Sequence, residues 1–508
     1  MTPADSDLNL SAIYLRLELA NGAVADGWST TARACSAAGL DALVDRQQLV
    51  LAEQVQRVEN TSVRIARRPA TFSEAEVASM EAWFSKAITR RFAGEMVASA
   101  CETGKLLVPH PLDDGTAWCN TSICGGAVVF LRFQGGSEPF YVIQHNFAVE
   151  ALYFPLREAL VYLNDCLVPK VKLRRLFLQL LRFADESLAY FRTAERRWAG
   201  LLVANDSPYH FFYFQAPGVA IACFPGSDHP PAFHTLPGEH YLDVATAFGL
   251  GGPTRVHSTP AALQSALVEE QSFVFSVGVR PINWLNPQRL KMVDGALLAA
   301  CRRDCAVELA DIGRTYDLVL WAGISSGKRA WRQETEAVSL FVNRVAPRFK
   351  RVLLLLDGWT ATLARSSEPH LYAGDLSAAA RVRAAVASNV DCAGLIGAEP
   401  VRKIGLGSAV DFFIASHGTA SLYVARICGR PGVSHISNAA RSEAVAQHVH
   451  QSTRLVPEDM VTDLAQTDSR DKFRLDYSID PDKFATFAEQ VFVASRREGI
   501  SKPLLASF

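Results

Sequence analysis

The sequence predicts an α/β protein built as two Rossmann-like, doubly wound domains with an additional N-terminal α+β module. Three observations carry this. Short apolar runs without breakers recur between helical segments from about residue 200 onward, the pattern of strands buried on both faces of a parallel sheet. The stretch from Asp317 to Ser437 reads strand, helix, strand, helix, strand, short helix, strand and helix in unbroken succession. A chain of 508 residues also exceeds the size at which one hydrophobic core keeps growing.

Residues 1–150 form the α+β module. Ile13 to Ala20 largely alternate apolar and polar before the turn signal Asn21-Gly22, which predicts a strand. Residues 73 to 104 read as helical. Ala127-Val-Val-Phe-Leu-Arg-Phe133, the turn Gln-Gly-Gly-Ser-Glu and Phe140-Tyr-Val-Ile-Gln-His145 predict a hairpin. Residues 151–309 form the first Rossmann-like domain. From 156 to 200 the pattern turns helical, with Lys170, Lys172, Arg174, Arg175 and Arg182 set among Leu and Phe; this is either a solvated helix face or a basic surface for peripheral contact with anionic lipid. Leu201 to Ala204, Val219 to Phe224 and Phe273 to Val277 then read as strands. Residues 310–475 form the second Rossmann-like domain, with strands at Leu318, Val352, Cys392 and Phe412. Residues 476–508 are a terminal helix, capped by Asp480 with Pro481 at its first position, expected to pack back on the first domain.

Hydrophobic residues make up 49% and charged residues 20%, ordinary globular composition. A net charge of −1 gives no global field to hold nucleic acid, so a nucleic-acid partner is not expected. The ten cysteines are scattered. Cys119/Cys124 and Cys301/Cys305 are close pairs without the further ligands a zinc site needs, so buried, reduced thiols are expected. The acidic start Met1 to Asp7 lacks a basic segment followed by an apolar one, and no run of about 18 apolar residues occurs. The expected location is cytoplasmic, with peripheral contact at the inner face of a membrane as the further option.

Chemistry concentrates in three segments. Ala415-Ser-His-Gly-Thr-Ala-Ser421 follows a buried strand and leads into a helix, the place where doubly wound sheets turn backbone N–H groups toward phosphates. Gly418 permits close approach, His417 can hydrogen-bond a diphosphate or ribose, and Thr419 and Ser421 add donors. Gly323-Ile-Ser-Ser-Gly-Lys-Arg is one residue short of a P-loop, and Arg329 stands where Ser or Thr is needed. What remains is a Gly/Ser turn carrying Lys328, Arg329 and Arg332, cations suited to a departing diphosphate or merely an exposed basic loop. In Ala204-Asn-Asp-Ser-Pro-Tyr-His210, Asp206 or Ser207 can cap a helix that begins at Pro208. His210 then lies in its first turn, able to titrate near neutrality and accept a hydroxyl proton. His229, His234, His240 and His257 match no zinc spacing and read as loop residues. Asp480-Pro-Asp482 and Asp5-Ser-Asp7 have the Asp-x-Asp spelling, but the first reads as a helix cap, and no metal is required.

In order and spacing these segments resemble glycosyltransferase family 61 and its relatives. The matching pieces are Tyr209-His-Phe-Phe with Pro217, Arg329 to Glu334, His417-Gly-Thr419 and Asp476 to Pro481, spanning roughly residues 200 to 495. Thr419 stands where the family usually has Ala, the Asn that commonly follows soon after is absent, and residues 1–150 have no counterpart. The resemblance implies a GT-B architecture of two Rossmann-like domains. It also implies inverting, metal-independent transfer from a nucleotide-sugar donor to a glycan or glycoconjugate acceptor, as in bacterial surface polysaccharide synthesis, with no cofactor. His210, or Asp206, would serve as base. Lys328, Arg329, Arg332, Glu334, His417, Gly418, Thr419 and Ser421 would bind the donor. The rival readings are a polysaccharide pyruvyl transferase and a non-catalytic sugar-binding protein of the same fold.

Overall fold

Branched and aromatic runs become strands here, and the way each run is flanked decides whether it pairs parallel or antiparallel. The computed structural model describes residues 55–57, 63–67, 72–87, 90–154, 157, 159–163, 190, 196–205, 207–223, 231–279, 287–327, 330–363, 369–441, 453–464 and 475–497. The strand expected at 13 to 20 and the basic cluster Lys170 to Arg182 lie outside them. The chain divides into two compact units: residues 1–206, 210–239 and 250–284, and residues 207–209, 240–249 and 285–508.

In the first unit, β1 (Val55–Arg57), β2 (Val63–Arg67), β3 (Leu106–Pro109), β4 (Thr116–Cys124), β5 (Val128–Gln134), β6 (Phe140–His145), β7 (Ala148–Phe154) and β8 (Ala159–Leu163) form one antiparallel sheet in the order β1-β2-β8-β7-β6-β5-β4-β3. The expected hairpin is β5–β6, in register from Val128–His145 to Phe133–Phe140. Helices α1 (Glu74–Ala87) and α2 (Arg90–Thr103) occupy the segment expected to be helical. Ala159–Leu163, read from sequence as helical, is instead a strand: its alternating small, branched and aromatic residues fit a pleat between β2 and β7.

The same unit holds a parallel sheet of β9 (Arg197–Leu202), β10 (Ala232–Thr235), β11 (Thr254–Val256) and β12 (Ser272–Phe275), ordered β11-β10-β9-β12. Two expectations fail here. Val219 to Cys223 lies in helix α3 (Ala216–Cys223), because a short apolar run can be a buried helix as readily as a buried strand, and its alanines favour helix. His234, read as a loop residue, lies in β10, with its ring stacked on that of His257. Buried polar contacts tie β4 to this sheet: Ser122 Oγ accepts from Val274 N at 3.0 Å, and Gln264 Oε1, on helix α4 (Pro260–Glu269), accepts from Cys124 N at 2.8 Å.

The second unit begins its regular structure with α5 (Pro287–Asp304) and α6 (Ala306–Thr315). Next come β13 (Leu318–Gly323), α7 (Glu334–Val345), β14 (Val352–Asp357), α8 (Ala373–Ala385), β15 (Val390–Gly394), α9 (Pro400–Gly407), β16 (Phe412–Ser416), β17 (Gly432–His435) and β18 (Thr453–Leu455). All six strands are parallel, in the order β15-β14-β13-β16-β17-β18. Numbered within the sheet, this is the 3-2-1-4-5-6 order of doubly wound proteins. Leu318, Leu320 and Ala322 face α7 and α8, while Val319 and Trp321 face α6 and α9, so the sheet is covered on both sides.

Two short strands, β19 (Thr462–Asp463) and β20 (Tyr477–Ser478), pair antiparallel before the terminal helix α10 (Pro481–Arg497). Asp480 caps α10, its carboxylate accepting from Lys483 N at 2.9 Å. The helix was expected on the first domain; it packs instead on α7 within its own unit. The reason is its apolar stripe: Phe484, Ala485, Ala488 and Phe492 recur at helical spacing and are buried with Phe341 and Phe412. Among the described residues no helix is long and apolar enough to cross a membrane. Replacing Phe492 by Ala should cost about 3–5 kcal/mol, measured by urea unfolding; an effect well below this would mean α10 is dispensable to the second unit.

Candidate functional site

In the second unit the strand order reverses between β13 and β16, and ligands of such sheets bind outside the carboxyl ends of the strands at that point. Both turns singled out from sequence leave from there: Ile324 to Gly327 after β13, and His417 to Ser421 after β16. Gly418 has φ of 129°, a conformation that side chains rarely adopt, and among the described residues no atom stands within 4 Å of where a Cβ would project. The turn is closed by Ser421, whose Oγ accepts from Gly418 N at 3.1 Å and donates to Gly418 O at 3.2 Å. Thr419 opens the short helical turn Thr419–Ser421, which runs into a π-helical stretch, Leu422–Ile427, where an ordinary helix was expected. Such stretches concentrate at functional sites.

His417 is buried, and its backbone N–H donates to His435 O at 2.8 Å. Glu334, at the start of α7, turns back so that Oε2 accepts from Ser325 N at 2.9 Å. Its Oε1 faces His435 Nε2 at 3.7 Å, and His435 Nδ1 is 2.6 Å from the Tyr477 hydroxyl. Trp331 lies over the His435 ring with centroids 4.8 Å apart. Burial, with the charge of Asp375 adding to it, pushes the Glu334 carboxyl up to about 8. Burial and nearby His417 push His435 down to about 3. At neutral pH the pair is therefore a protonated acid beside a neutral imidazole.

The cations divide. Arg332 is exposed and pairs with Asp476 at 2.8 Å, while Asp476 also accepts from Ala330 N at 2.9 Å, fixing the far end of the turn. Lys328 and Arg329 lie outside the described residues, as does Asp206. The structure thus gathers Glu334 and His417 around His435, with Gly418 and Ser421 in the adjoining turn, and ties Arg332 to Asp476.

Sequence reasoning missed the groups behind these turns. Asp357 ends β14, where dinucleotide-binding sheets place their ribose-binding acid, yet it is consumed internally by Lys403 at 2.6 Å, both side chains being buried. Lys403 also donates to Gly358 O, Trp359 O and Thr360 Oγ1 at 2.8, 3.1 and 3.0 Å. Asp375 accepts from Ser326 N and Oγ and from Trp359 N. An acid followed by glycine after an apolar run could have marked Asp357; nothing local marks Lys403, Asp375 or His435.

The first unit has its own reversal, between β9 and β12, and there the chain fills the crevice itself. The turn of β6–β7, Asn146-Phe147, has φ of 56° and 129°, the second a strained value for a phenylalanine. Phe147 packs so closely on Gly278 that a Cβ there would stand 2.1 Å from its ring, and it contacts Phe214 with centroids 5.5 Å apart. Asn205 Nδ2 donates to Asn146 O, and Gln215 Nε2 and Ser276 Oγ donate to Leu202 O. His210 ends the helical turn Pro208–His210, immediately before the π-helical Phe211–Gln215, and stacks on Phe214 at 5.8 Å. Among the described residues no group of three or more His, Cys, Asp or Glu is placed to hold a metal ion.

Lys403→Met would leave Asp357 buried and unpaired, so it should cost about 3–5 kcal/mol by urea unfolding. Adding Asp357→Leu should recover a substantial part, and no recovery would mean that the pair is not the source of the loss. A second prediction concerns pH. Glu334, raised from 4.5 to about 8, contributes stability that is full below about 4.5 and is lost as pH rises toward 8. His435, depressed from 6.5 to about 3, contributes stability that is present above 6.5 and lost as pH falls toward 3. The two cancel between 4.5 and 6.5, and stability declines on either side. Glu334→Gln should abolish the alkaline decline, roughly 2 kcal/mol at one pK unit per 1.4 kcal/mol, and leave the acid limb in place. An unchanged alkaline limb in urea midpoints would assign that titration to another group.

No protein-family model matches this chain, and no curated protein matches it, so the functional reading rests on the residues of the site.

Proposed function

We propose that the chain is a glycosyltransferase and that its second unit binds the nucleotide-sugar donor at the β13/β16 switch point. The observation that carries this is the contrast between the two parallel sheets. In the first unit the switch point is filled by Phe147, whereas in the second it is bordered by two turns whose glycines, Gly327 and Gly418, project toward open space among the described residues. A diphosphate there meets turn amides, the hydroxyls of Ser325 and Thr419, and the chain that carries Lys328, Arg329 and Arg332. The proposed transfer is metal-independent, with amides, hydroxyls and cations taking up the charge of the departing diphosphate. The sheet orders 3-2-1-4 and 3-2-1-4-5-6 support the finer reading of two Rossmann-like domains of the GT-B type.

His210 keeps the role of base toward a glycan or glycoconjugate hydroxyl. Its place beside a π-helical turn, against Phe214, supports a set ring orientation. The test is a thermal-shift screen against uridine, guanosine, cytidine and adenosine diphosphates, their sugar conjugates and phosphoenolpyruvate, with and without chelator. One nucleotide family should stabilise the chain, unchanged by chelator. A response to phosphoenolpyruvate alone would replace sugar transfer by pyruvyl transfer, and silence throughout would leave a non-catalytic protein. With the donor in hand, His210→Ala should lower transfer by about 10²- to 10⁴-fold while donor affinity stays within about twofold. Equal loss of both would remove His210 from the role of base.

A further inference from the structure

At the carboxyl end of β14 the backbone of Trp359 is held at three points. Its N–H donates to Asp375 Oδ2 at 2.9 Å, and its carbonyl accepts from Lys403 Nζ at 3.1 Å and from Gly397 N at 2.8 Å. The same lysine holds the residues on either side, and its charge is balanced by buried Asp357. Taking two charges out of water to fix three residues of a turn is expensive, and it produces a rigid turn.

What the turn presents is an indole. The Trp359 ring stacks on Tyr372, with centroids 5.2 Å apart and planes 16° from parallel. Tyr372 is buried, and it fits because residue 397 is glycine: a Cβ there would stand 2.7 Å from the Tyr372 ring. Trp359 itself is only partly buried. Tyr372 covers one face of the indole.

The platform is tied to the phosphate turn. Asp375 Oδ1 accepts from Ser326 N at 2.9 Å and Ser326 Oγ at 2.6 Å, while its Oδ2 holds Trp359 N. Gly374, where a Cβ would stand 2.4 Å from Ser326 Oγ, permits that close approach. One carboxylate therefore sets the spacing between the Ser325–Gly327 turn and the indole. A ligand that suits both ends carries a phosphate at one and a flat π-system at the other.

We propose that Trp359 is a base-stacking platform, on which a nucleoside diphosphate lays its nucleobase while its phosphates engage the Ser325–Gly327 turn. This deepens the donor reading above and rests on it. Every base has a π face, so stacking here sets affinity for a base rather than the choice among bases.

The experiment is calorimetric titration of the full chain with UDP, GDP, CDP and ADP, and with inorganic pyrophosphate as the probe without a base. At least one nucleoside diphosphate should bind about 10- to 100-fold tighter than pyrophosphate. Trp359→Leu should erase that advantage and leave pyrophosphate affinity within about twofold; Trp359→Tyr should keep most of it. Should Trp359→Leu fail to fold, as judged by its thermal unfolding, the readout becomes indole fluorescence, which the nucleotide quenches in the parent chain and not in Trp359→Phe. Undiminished nucleotide preference in Trp359→Leu, or identical quenching in Trp359→Phe, overturns the platform and leaves the donor reading standing. A parent chain that binds no nucleotide better than pyrophosphate overturns both.

Discussion

Burial of the six-stranded sheet on both faces is the constraint from which the second unit follows. Strands β13, β14 and β16 carry apolar side chains up and down, Leu318, Leu320 and Ala322 to one layer of helices and Val319 and Trp321 to the other. No polar side chain can sit along such a strand without losing its hydration, so hydrogen-bonding chemistry is driven to the strand ends. Asp357, the last residue of β14, His435, the last of β17, and His417, the first past β16, all lie where the sheet stops being apolar. The position of the candidate site is a consequence of how the core is covered.

At those ends several buried polar groups are met by partners from distant parts of the chain. Asp357 is neutralised by Lys403 from α9, Glu334 is kept protonated beside a neutral His435, and Tyr477 reaches His435 from β20. Such pairs contribute less to stability than to specification, since breaking one strands a charge while the intact pair roughly offsets its own desolvation. What they specify is the path of three turns. Asp375 and Lys403 hold the turn after β14, Asp375 and Glu334 hold the turn after β13, and Ser421 closes the turn after β16.

The first unit applies the same sheet order to a different end. Its parallel sheet also reverses, between β9 and β12, but Phe147 is held there at a strained φ, against Gly278 and Phe214. A strained turn of this kind costs about 1–3 kcal/mol and persists only where surrounding contacts over-determine it. Asn205, Gln215, Ser276 and Gln144 supply those contacts as a buried hydrogen-bonded set. Fold topology alone would nominate both switch points, and side-chain packing separates them.

The sequence by itself determined the α/β class, the parallel strands at Leu318, Val352, Cys392 and Phe412, the β5–β6 hairpin, the cap at Asp480 and the glycine-bearing turns at 323–327 and 417–421. These are local properties: breaker-free apolar runs, turn residues and capping chemistry act over a few neighbours and are written in order along the chain. Tertiary structure decided the rest. Val219 to Cys223 became helix and Ala159 to Leu163 strand, because short apolar runs have no period long enough to choose for themselves. The terminal helix went to α7, because its phenylalanines found Phe341 and Phe412 there. Asp357 with Lys403, Glu334 with His435, and Trp359 with Tyr372 are separated by 46, 101 and 13 positions in the chain, and nothing local announces such pairs. Burial gives them their chemistry, and burial is a property of the folded whole.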